Sequence, residues 1–169
     1  MTVEYRDGQA GDGKAISALF DASFKATFAQ LYAAEDLTSF LAEKTPATFE
    51  SELASPEFSF RLAEENGVLA GYAKLGPNDL PGDAPEATLE LYHLYVLARW
   101  HGRGIAPSLM VWTMDEARQR GATHLQLSVF VDNHRARRFY ERHGFEEVGK
   151  YVFMVGNHQD DDRVMRLAL

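Results

Sequence analysis

The stretch RWHGRGIAPSLMVWTMDEARQRG, from Arg99 to Gly121, places a basic, glycine-rich loop directly before a segment with helical spacing. Arg99, Gly102 and Gly104 follow the pattern Arg-x-x-Gly-x-Gly. Glycine lets a backbone turn tightly and aim several N–H groups at one point, and a helix N-terminus adds unpaired N–H groups and partial positive charge. The stretch therefore predicts a cradle for a phosphate or pyrophosphate.

Two other phosphate-binding motifs do not fit this loop. A P-loop needs Gly-Lys-Ser/Thr after its glycines, but Gly104 is followed by Ile105, Ala106 and Pro107. A dinucleotide fingerprint needs Gly-x-Gly-x-x-Gly, and its last glycine would fall at Pro107. For the loop taken alone, a plain glycine turn between strand and helix remains the alternative.

Composition limits the class of protein. The 169 residues, 46% of them hydrophobic, predict one compact α/β domain spanning 1–169. The absence of cysteine excludes disulfides and thiolate catalysis, and the histidines lack the spacing of a metal site, so we expect no metal. No apolar run approaches the roughly 20 residues that span a bilayer, and the first residues lack an apolar stretch and a cleavage site, so we expect no signal peptide. We therefore expect a cytoplasmic protein without a membrane partner.

Charge is unevenly distributed along the chain. The net charge of −8 argues against nucleic-acid binding. Residues 99–142 nevertheless contain eight Arg or Lys and four Asp or Glu, a net charge of +4, so the remainder carries −12. A basic segment in an acidic protein predicts a small anionic ligand beside a surface that attracts cations. Ordinary variation in surface charge is the alternative.

Hydrophobic periodicity predicts helices and strands around this loop. The predicted helices are Lys14–Gln30, 33–43, 45–55, the quoted stretch up to Gly121, and 132–144. Thr45 and Asp132 are the predicted N-caps of the third and fifth. The predicted strands are a hairpin within 58–76, then 88–97, 123–131, 145–155 and 163–169, with GNHQDDD (156–162) as the last turn. This order predicts a mixed sheet flanked by helices.

Two motifs about thirty residues apart resemble the GNAT superfamily of acyl-CoA-dependent N-acetyltransferases. The first, LYVLARWHGRGIAPSLM, matches the family's strand, Arg/Gln-x-x-Gly-x-Gly/Ala loop and helix. The second, DNHRARRFYERHGFEEVG, matches its Asn-x-x-Ala-x-x-Phe-Tyr-x-x-x-Gly-Phe signature. The matching positions are Asn133, Ala136, Phe139, Tyr140, Gly144 and Phe145. The resemblance implies a single-domain α/β GNAT fold, with a mixed, mostly antiparallel sheet of six to seven strands, and acetyl-CoA as cosubstrate.

The resemblance also implies which residues hold coenzyme A. The loop amides would bind its pyrophosphate, with Arg99 supporting the turn, and the preceding strand would lend backbone groups to the pantetheine arm. The implied coenzyme-binding residues are Leu94, Tyr95, Val96, Arg99, His101, Gly102, Arg103, Gly104, Ile105, Ala106 and Asn133. Arg137 and Arg138 could meet the adenosine phosphates, with solvated arginines as the alternative.

Two residues are candidates for catalysis. The resemblance places Tyr140 as the acid that protonates the departing thiolate, with a packing tyrosine as the alternative. Glu90 is the candidate base, because a carboxylate in an otherwise apolar strand is costly unless it faces a cleft or a partner. His93, or water, is the rival base. Strict alternation places Glu90, Tyr92, Leu94 and Val96 on one face and Leu91, His93 and Tyr95 on the other, unless a bulge intervenes.

Segments outside the two motifs, including LAGYAKL and the ending YVFMVGNHQDDDRVMRLAL, resemble the bacterial spermidine/spermine N-acetyltransferases of the Pai type. That resemblance implies a polyamine acceptor, which an acidic rim would attract. The rim would contain Glu35, Asp36, Glu86, Glu90 and Asp160–Asp162. For Asp160–Asp162 the alternative is a solvated hairpin turn. Another amine, in an antibiotic, an amino acid or a protein N-terminus, stays open as the acceptor.

The sequence thus favours an enzyme that acetylates a primary amine of a small molecule by direct attack of the amine on the thioester. A non-catalytic acyl-CoA-binding or sensor domain is the second hypothesis, and the presence of both Glu90 and Tyr140 favours the enzyme. Homodimers are common in proteins of this kind, and Tyr151–Gly156 is a candidate contact.

Overall fold

In the computed structural model, which describes residues 2–169, helices and strands follow one another along a single chain. The helices are α1 (Gly13–Phe28), α2 (Ala34–Leu41), α3 (Pro46–Ala54), α4 (Ile105–Gln119) and α5 (His134–Arg142). The strands are β1 (Glu4–Asp7), β2 (Ser59–Glu65), β3 (Val68–Pro77), β4 (Thr88–Val96), β5 (His124–Phe130), β6 (Glu146–Val155) and β7 (His158–Ala168).

The strands form one seven-stranded sheet in the order β1-β2-β3-β4-β5-β7-β6. Only β4 and β5 run parallel, and every other neighbouring pair is antiparallel. The predicted mixed, mostly antiparallel sheet with flanking helices is confirmed. Strand β1 escapes prediction, because four residues are too few to establish a period. Arg6 holds it by pairing with Glu64 of β2 and Asp12.

Two cores lie on opposite faces of the sheet. On one face α4 buries Ile105, Leu109 and Met110 against apolar residues of β3, β4 and β5. Part of α5 joins the same cluster through Phe139 and Tyr140. On the other face α1 contributes Ile16, Leu19, Phe20 and Phe24 to a cluster dominated by aromatic rings. The remaining buried aromatic residues of that cluster are Tyr32, Phe40, Phe49, Phe60 and Tyr72.

Of three predicted helix-end signals, the structure confirms two and corrects one. Thr45 caps α3, since its Oγ1 accepts a hydrogen bond from the Thr48 amide at 3.2 Å. Gly121 ends α4 with φ +84°. Helix α5, however, is capped by Asn133 and not by Asp132. The Asn133 side chain accepts a hydrogen bond at 3.3 Å from the amide of Ala136, the third residue of the helix, which a cap residue reaches.

The final hairpin turns earlier than predicted. Strand β7 already begins at His158, so the turn lies at Gly156 and Asn157 and the three aspartates belong to the strand. The turn is fixed from α2, because the Asp36 carboxylate accepts a hydrogen bond from the Asn157 amide at 2.9 Å. The prediction of a solvated acidic turn is therefore wrong.

A bulge in β4 changes which residues share a face. His93 pairs with Lys74 and Leu91 pairs with Leu75, so Tyr92 is an extra residue without an opposite partner. Residues opposite one another in an antiparallel pair point to the same face. Glu90, His93 and Tyr95 lie opposite Gly76, Lys74 and Tyr72, which alternate along β3 and share one face. The prediction of strict alternation is therefore wrong beyond the bulge.

Strands β4 and β5 diverge after a short contact. They pair only through Thr88 with His124, Leu89 with Leu125, and Glu90 with Gln126. Beyond Glu90, β4 runs on to Val96 without a partner on the β5 side within residues 2–169, while β5 continues along β7. This divergence opens a seam in the middle of the sheet.

Candidate active site

The predicted cradle lies where β4 ends and α4 begins. Gly102 and Gly104 both have positive φ, +77° and +79°, a conformation that side-chain-bearing residues rarely adopt. Gly104 is the N-cap of α4, so the free amides of the first helical turn point out of the same loop. Ile105, 1% exposed, anchors the helix start in the core. We call the loop Arg99–Ala106 with the N-terminus of α4 the donor side.

The donor side is held by a buried carboxylate that no sequence motif marks. Glu65, at the end of β2, accepts a hydrogen bond from Trp100 Nε1 at 2.9 Å and pairs with Arg103 at 2.6 Å. Both contacts lower the pKa of Glu65, the Arg103 contact most. Arg99 stacks on the Trp100 ring, 3.9 Å from its centroid. Arg103 is thus engaged within the protein, and the backbone amides are left to face an anion.

His101 links the loop to the end of β4 and to α5. Its Nε2 lies 2.7 Å from the carbonyl oxygen of Val96, and its Nδ1 lies 3.2 Å from Arg135 of α5. The predicted basic side chains therefore shape the loop. Of the two arginines assigned to adenosine phosphates, Arg137 bonds Glu147 at 2.9 Å, whereas Arg138 is exposed and has no partner within residues 2–169.

Tyr140 lies beside the seam. It packs against Phe139 and Phe145, with ring centroids 5.5 and 5.8 Å away. Burial raises the pKa of Tyr140 to about 12, so the phenol keeps its proton at neutral pH. Within residues 2–169 no group hydrogen-bonds its hydroxyl. The pKa of Tyr95 is raised, mainly by burial and then by the charges of Tyr140 and Asp162. Tyr95 and Tyr140 therefore lie close together.

Glu90 lies where β4 and β5 part. It is 7% exposed, and its Oε1 accepts a hydrogen bond from the Asp79 amide at 2.9 Å. Burial raises the pKa of Glu90 to about 7, against the opposing effects of that hydrogen bond and of Lys74. A carboxylate with a pKa near the operating pH is suited to accept a proton.

His93 has different surroundings. Its ring packs against Phe20 and Phe49, and its Nδ1 lies 2.9 Å from the Tyr72 hydroxyl. Burial, with the charges of Lys74 and Lys44, holds the pKa of His93 well below its ordinary value. The ring is therefore a neutral, hydrogen-bonded member of the aromatic core, and it is a poorer candidate for the base than Glu90.

The sheet face of Glu90 carries two further acids that the structure adds to the site. Asp160 and Asp162 on β7 are 4% and 5% exposed. On β5, Gln126 pairs with Glu90 and Phe130 pairs with Asp162. Gln126 and Phe130 are four residues apart and therefore point to the same face of the sheet, so Glu90, Asp160 and Asp162 share that face as well. We call this face, with Glu90, Asp160 and Asp162, the acceptor side.

Residues 2–169 contain no group of His, Cys, Asp or Glu arranged to hold a metal ion. They also contain no helix long and apolar enough to cross a membrane.

Known proteins share both sequence and fold with this chain. The model of the acetyltransferase (GNAT) family matches residues 23–145. An uncharacterised N-acetyltransferase of Mycobacterium tuberculosis H37Rv is 33% identical over 155 residues, 91% of this chain and 96% of the relative. The aminoalkylphosphonate N-acetyltransferase of Salmonella typhimurium is 33% identical over 99 residues, 59% of this chain and 64% of the relative. The PaiA N-acetyltransferase of Thermoplasma acidophilum, solved with coenzyme A, matches with a TM-score of 0.80 over the whole of both chains at 19% identity.

Proposed function

Because this chain belongs to the acetyltransferase (GNAT) family and is an N-acetyltransferase, we propose that it transfers the acetyl group of acetyl-CoA to a primary amine of a small molecule, by direct attack of the amine on the thioester. The observation that carries this proposal is the position of the donor side. A loop with two positive-φ glycines opens onto a helix N-terminus at the end of a split β-strand pair. Tyr140 and Glu90 lie along the same split.

The donor side fits the parts of coenzyme A. The amides of His101–Ala106 and of the first turn of α4 receive the pyrophosphate, because unpaired N–H groups and the helix dipole favour an anion there. The free edge of β4 at Leu94, Tyr95 and Val96 pairs with the pantetheine arm as an added strand would. Asn133 lies at the N-terminus of α5. Its Oδ1 is engaged in the helix cap, and its side-chain N–H groups remain to bind the same arm.

The chemistry needs one base and one acid. A neutral amine attacks the thioester carbonyl, the new C–N bond forms and the C–S bond breaks. Glu90 accepts the proton that the amine loses, directly or through one water, since its pKa lies near neutrality. Tyr140 donates its proton to the departing thiolate, as its unpaired hydroxyl allows, and is reprotonated from solvent. His93 keeps a packing role.

A polyamine is the acceptor we favour. The acidity of the whole chain attracts polycations, and the two buried aspartates of β7 add negative charge near Glu90.

The proposal is tested by measuring free-thiol release from acetyl-CoA with a panel of amines. The panel holds spermidine and spermine beside aminoglycosides, amino acids, aminoalkylphosphonates and short peptides. We expect turnover with the polyamines. Turnover with another amine alone would keep the reaction and remove the polyamine. Binding of coenzyme A without turnover of any amine would favour a sensor domain.

A further inference from the structure

Strand β7 carries three consecutive aspartates. Because successive side chains of a strand point to opposite faces of the sheet, the middle aspartate faces away from the other two. Asp160 and Asp162 point to the acceptor side and are 4% and 5% exposed. Asp161 points the other way, is exposed, and pairs with Arg163. The strand thus buries two carboxylates two residues apart, on the same face as Glu90.

The two buried carboxylates differ in how well they are satisfied. Asp160 accepts a hydrogen bond from the Tyr32 hydroxyl and lies 3.2 Å from His158 Nε2. Asp162 Oδ1 is buried and has no hydrogen-bond partner in the part of the chain that the structure describes. Burial raises the pKa of Asp162, and the neighbouring Ser128 side chain, a donor to the carboxyl group, opposes this effect. Burying a carboxylate oxygen without a donor costs several kcal/mol, so such an atom needs a functional or structural reason.

Aromatic rings surround these carboxylates. Tyr151 lies opposite Asp162 on β6, and Phe130 lies opposite it on β5. Phe28 packs edge-on against Phe130, with ring centroids 6.3 Å apart, and its ring lies 6.4 Å from that of Tyr32. Burial, followed by the charges of Glu90 and Asp162, raises the pKa of Tyr151, which indicates that this phenol lies near both the proposed base and the buried aspartate.

An ammonium group matches this chemistry. Carboxylates supply the opposite charge and accept its N–H groups, and aromatic faces attract cations. An anion such as a phosphonate would meet the oxygens of two buried carboxyl groups, which disfavour it. Asp162 lies two strands from Glu90 and four residues further along the sheet, so an amine beside Glu90 cannot also reach Asp162.

We propose that Asp160 and Asp162 form a subsite for a second ammonium group of the acceptor, with Asp162 Oδ1 accepting its hydrogen bond and Tyr32 holding Asp160 in place. The subsite rests on the proposed acetyl transfer and specifies it. The enzyme selects acceptors with two separated amines, and one amine is acetylated while the other is bound.

The test compares kcat/KM for diaminoalkanes and for the monoamines of the same chain length, in the wild type and in Asp162→Asn. Asp161→Asn is the matched control, because it makes the same chemical change on the opposite face of the same strand. We expect the wild type to prefer the diamine by about tenfold to a hundredfold, the value of a buried hydrogen bond to a charged group. We expect Asp162→Asn to remove most of that preference through KM, and Asp161→Asn to retain it.

Two results would overturn the subsite while leaving acetyl transfer intact. One is equal use of diamine and monoamine by the wild type, which needs no variant and so does not depend on the folding of one. The other is an unchanged preference in Asp162→Asn. Absence of thiol release with every amine would instead overturn the proposed function, and the subsite with it.

Discussion

The donor side and the acceptor side lie next to each other along β4 and are built from different materials. On the donor side, we propose that backbone amides of the loop at Gly102 and Gly104 face the ligand, while Arg99 and Arg103 are engaged by Trp100 and Glu65. On the acceptor side, side chains face inward from β4 and β7. In the proposed mechanism, backbone geometry holds the invariant cosubstrate, and side chains select the acceptor.

The two sides also differ in the pKa shifts of their carboxylates. On the donor side, the ion pair with Arg103 lowers the pKa of Glu65, so this carboxylate stays ionised at neutral pH. On the acceptor side, burial raises the pKa of Glu90 and of Asp162, each to about 7. We therefore expect changes on the acceptor side to alter the pH dependence of acetyl transfer. Changes on the donor side should alter the affinity for coenzyme A through the conformation of the loop.

The largest effect should come from Gly102→Asp. It forces a side chain into a positive-φ conformation and adds a negative charge where the anion binds, so calorimetry should detect no coenzyme A binding. Gly121→Asp is the control, since Gly121 also has positive φ and open space around it but lies at the far end of α4. Tight coenzyme A binding by Gly102→Asp would contradict the proposal that the donor side binds coenzyme A.

Tyr140→Phe should lower kcat by about a thousandfold, within the usual range for a general acid, and leave the Kd of coenzyme A unchanged. Single-turnover kinetics and calorimetry measure the two quantities separately. Tyr5→Phe, a half-buried tyrosine on β1, is the control. An unchanged kcat would reduce Tyr140 to a packing residue at the seam.

Glu90→Gln should lower kcat/KM by about a hundredfold at pH 8, less than the loss of the acid because water replaces the base in part. A base must be ionised, so the wild-type kcat/KM, calculated on the concentration of neutral amine, rises with pH up to about 7 and then levels off. The variant loses this rise.

The profile is measured with a monoamine, so that binding at Asp162, which has a similar pKa, does not contribute to it. Glu146→Gln, an exposed glutamate at the start of β6, is the control and should keep the rise. If the rise persists in Glu90→Gln, the base is another group.

The smallest effect should come from Glu65→Gln, which keeps the hydrogen bond from Trp100 and loses the ion pair with Arg103. The loosened loop should raise KM for acetyl-CoA by about three- to tenfold, the loss of one charge-assisted contact, without changing kcat. Glu64→Gln, next to it on β2 and paired with Arg6 away from the loop, is the control. A fall in kcat at constant KM would contradict a role in shaping the donor side.

The backbone geometry of the donor side could be predicted from the sequence because its parts are contiguous. A strand, two glycines and a helix start follow one another along a short stretch of chain, and each has a local signal. Glu65 could not be predicted, because it lies 35 residues before its partner Trp100, at the end of another strand. Nothing in its own segment marks it, and only the folded sheet brings the two residues together.

The acceptor side could be predicted only in part, because it depends on register. Glu90 stands out in the sequence as a lone carboxylate in an apolar strand. The face that Glu90 shares with His93 and Tyr95 could not be predicted, because the bulge at Tyr92 has no signature in the sequence. Three adjacent acids are typical of solvated segments, which is why the pattern places Asp160 and Asp162 in a turn. Their burial in β7 depends in part on Tyr32, which is 128 residues from Asp160.

The bulge at Tyr92 also determines how β4 tolerates changes in length. The bulge takes up one residue, because Leu91 and His93 lie opposite Leu75 and Lys74, which are neighbours on β3. Deleting Tyr92 would therefore remove the bulge and leave the other side chains of β4 on their present faces. Deleting Leu94 instead would turn Tyr95 and Val96 to the opposite faces of the sheet. The tolerance of β4 to a deletion therefore depends on where the deletion falls, and the loss of Tyr92 keeps Glu90, His93 and Tyr95 on a common face.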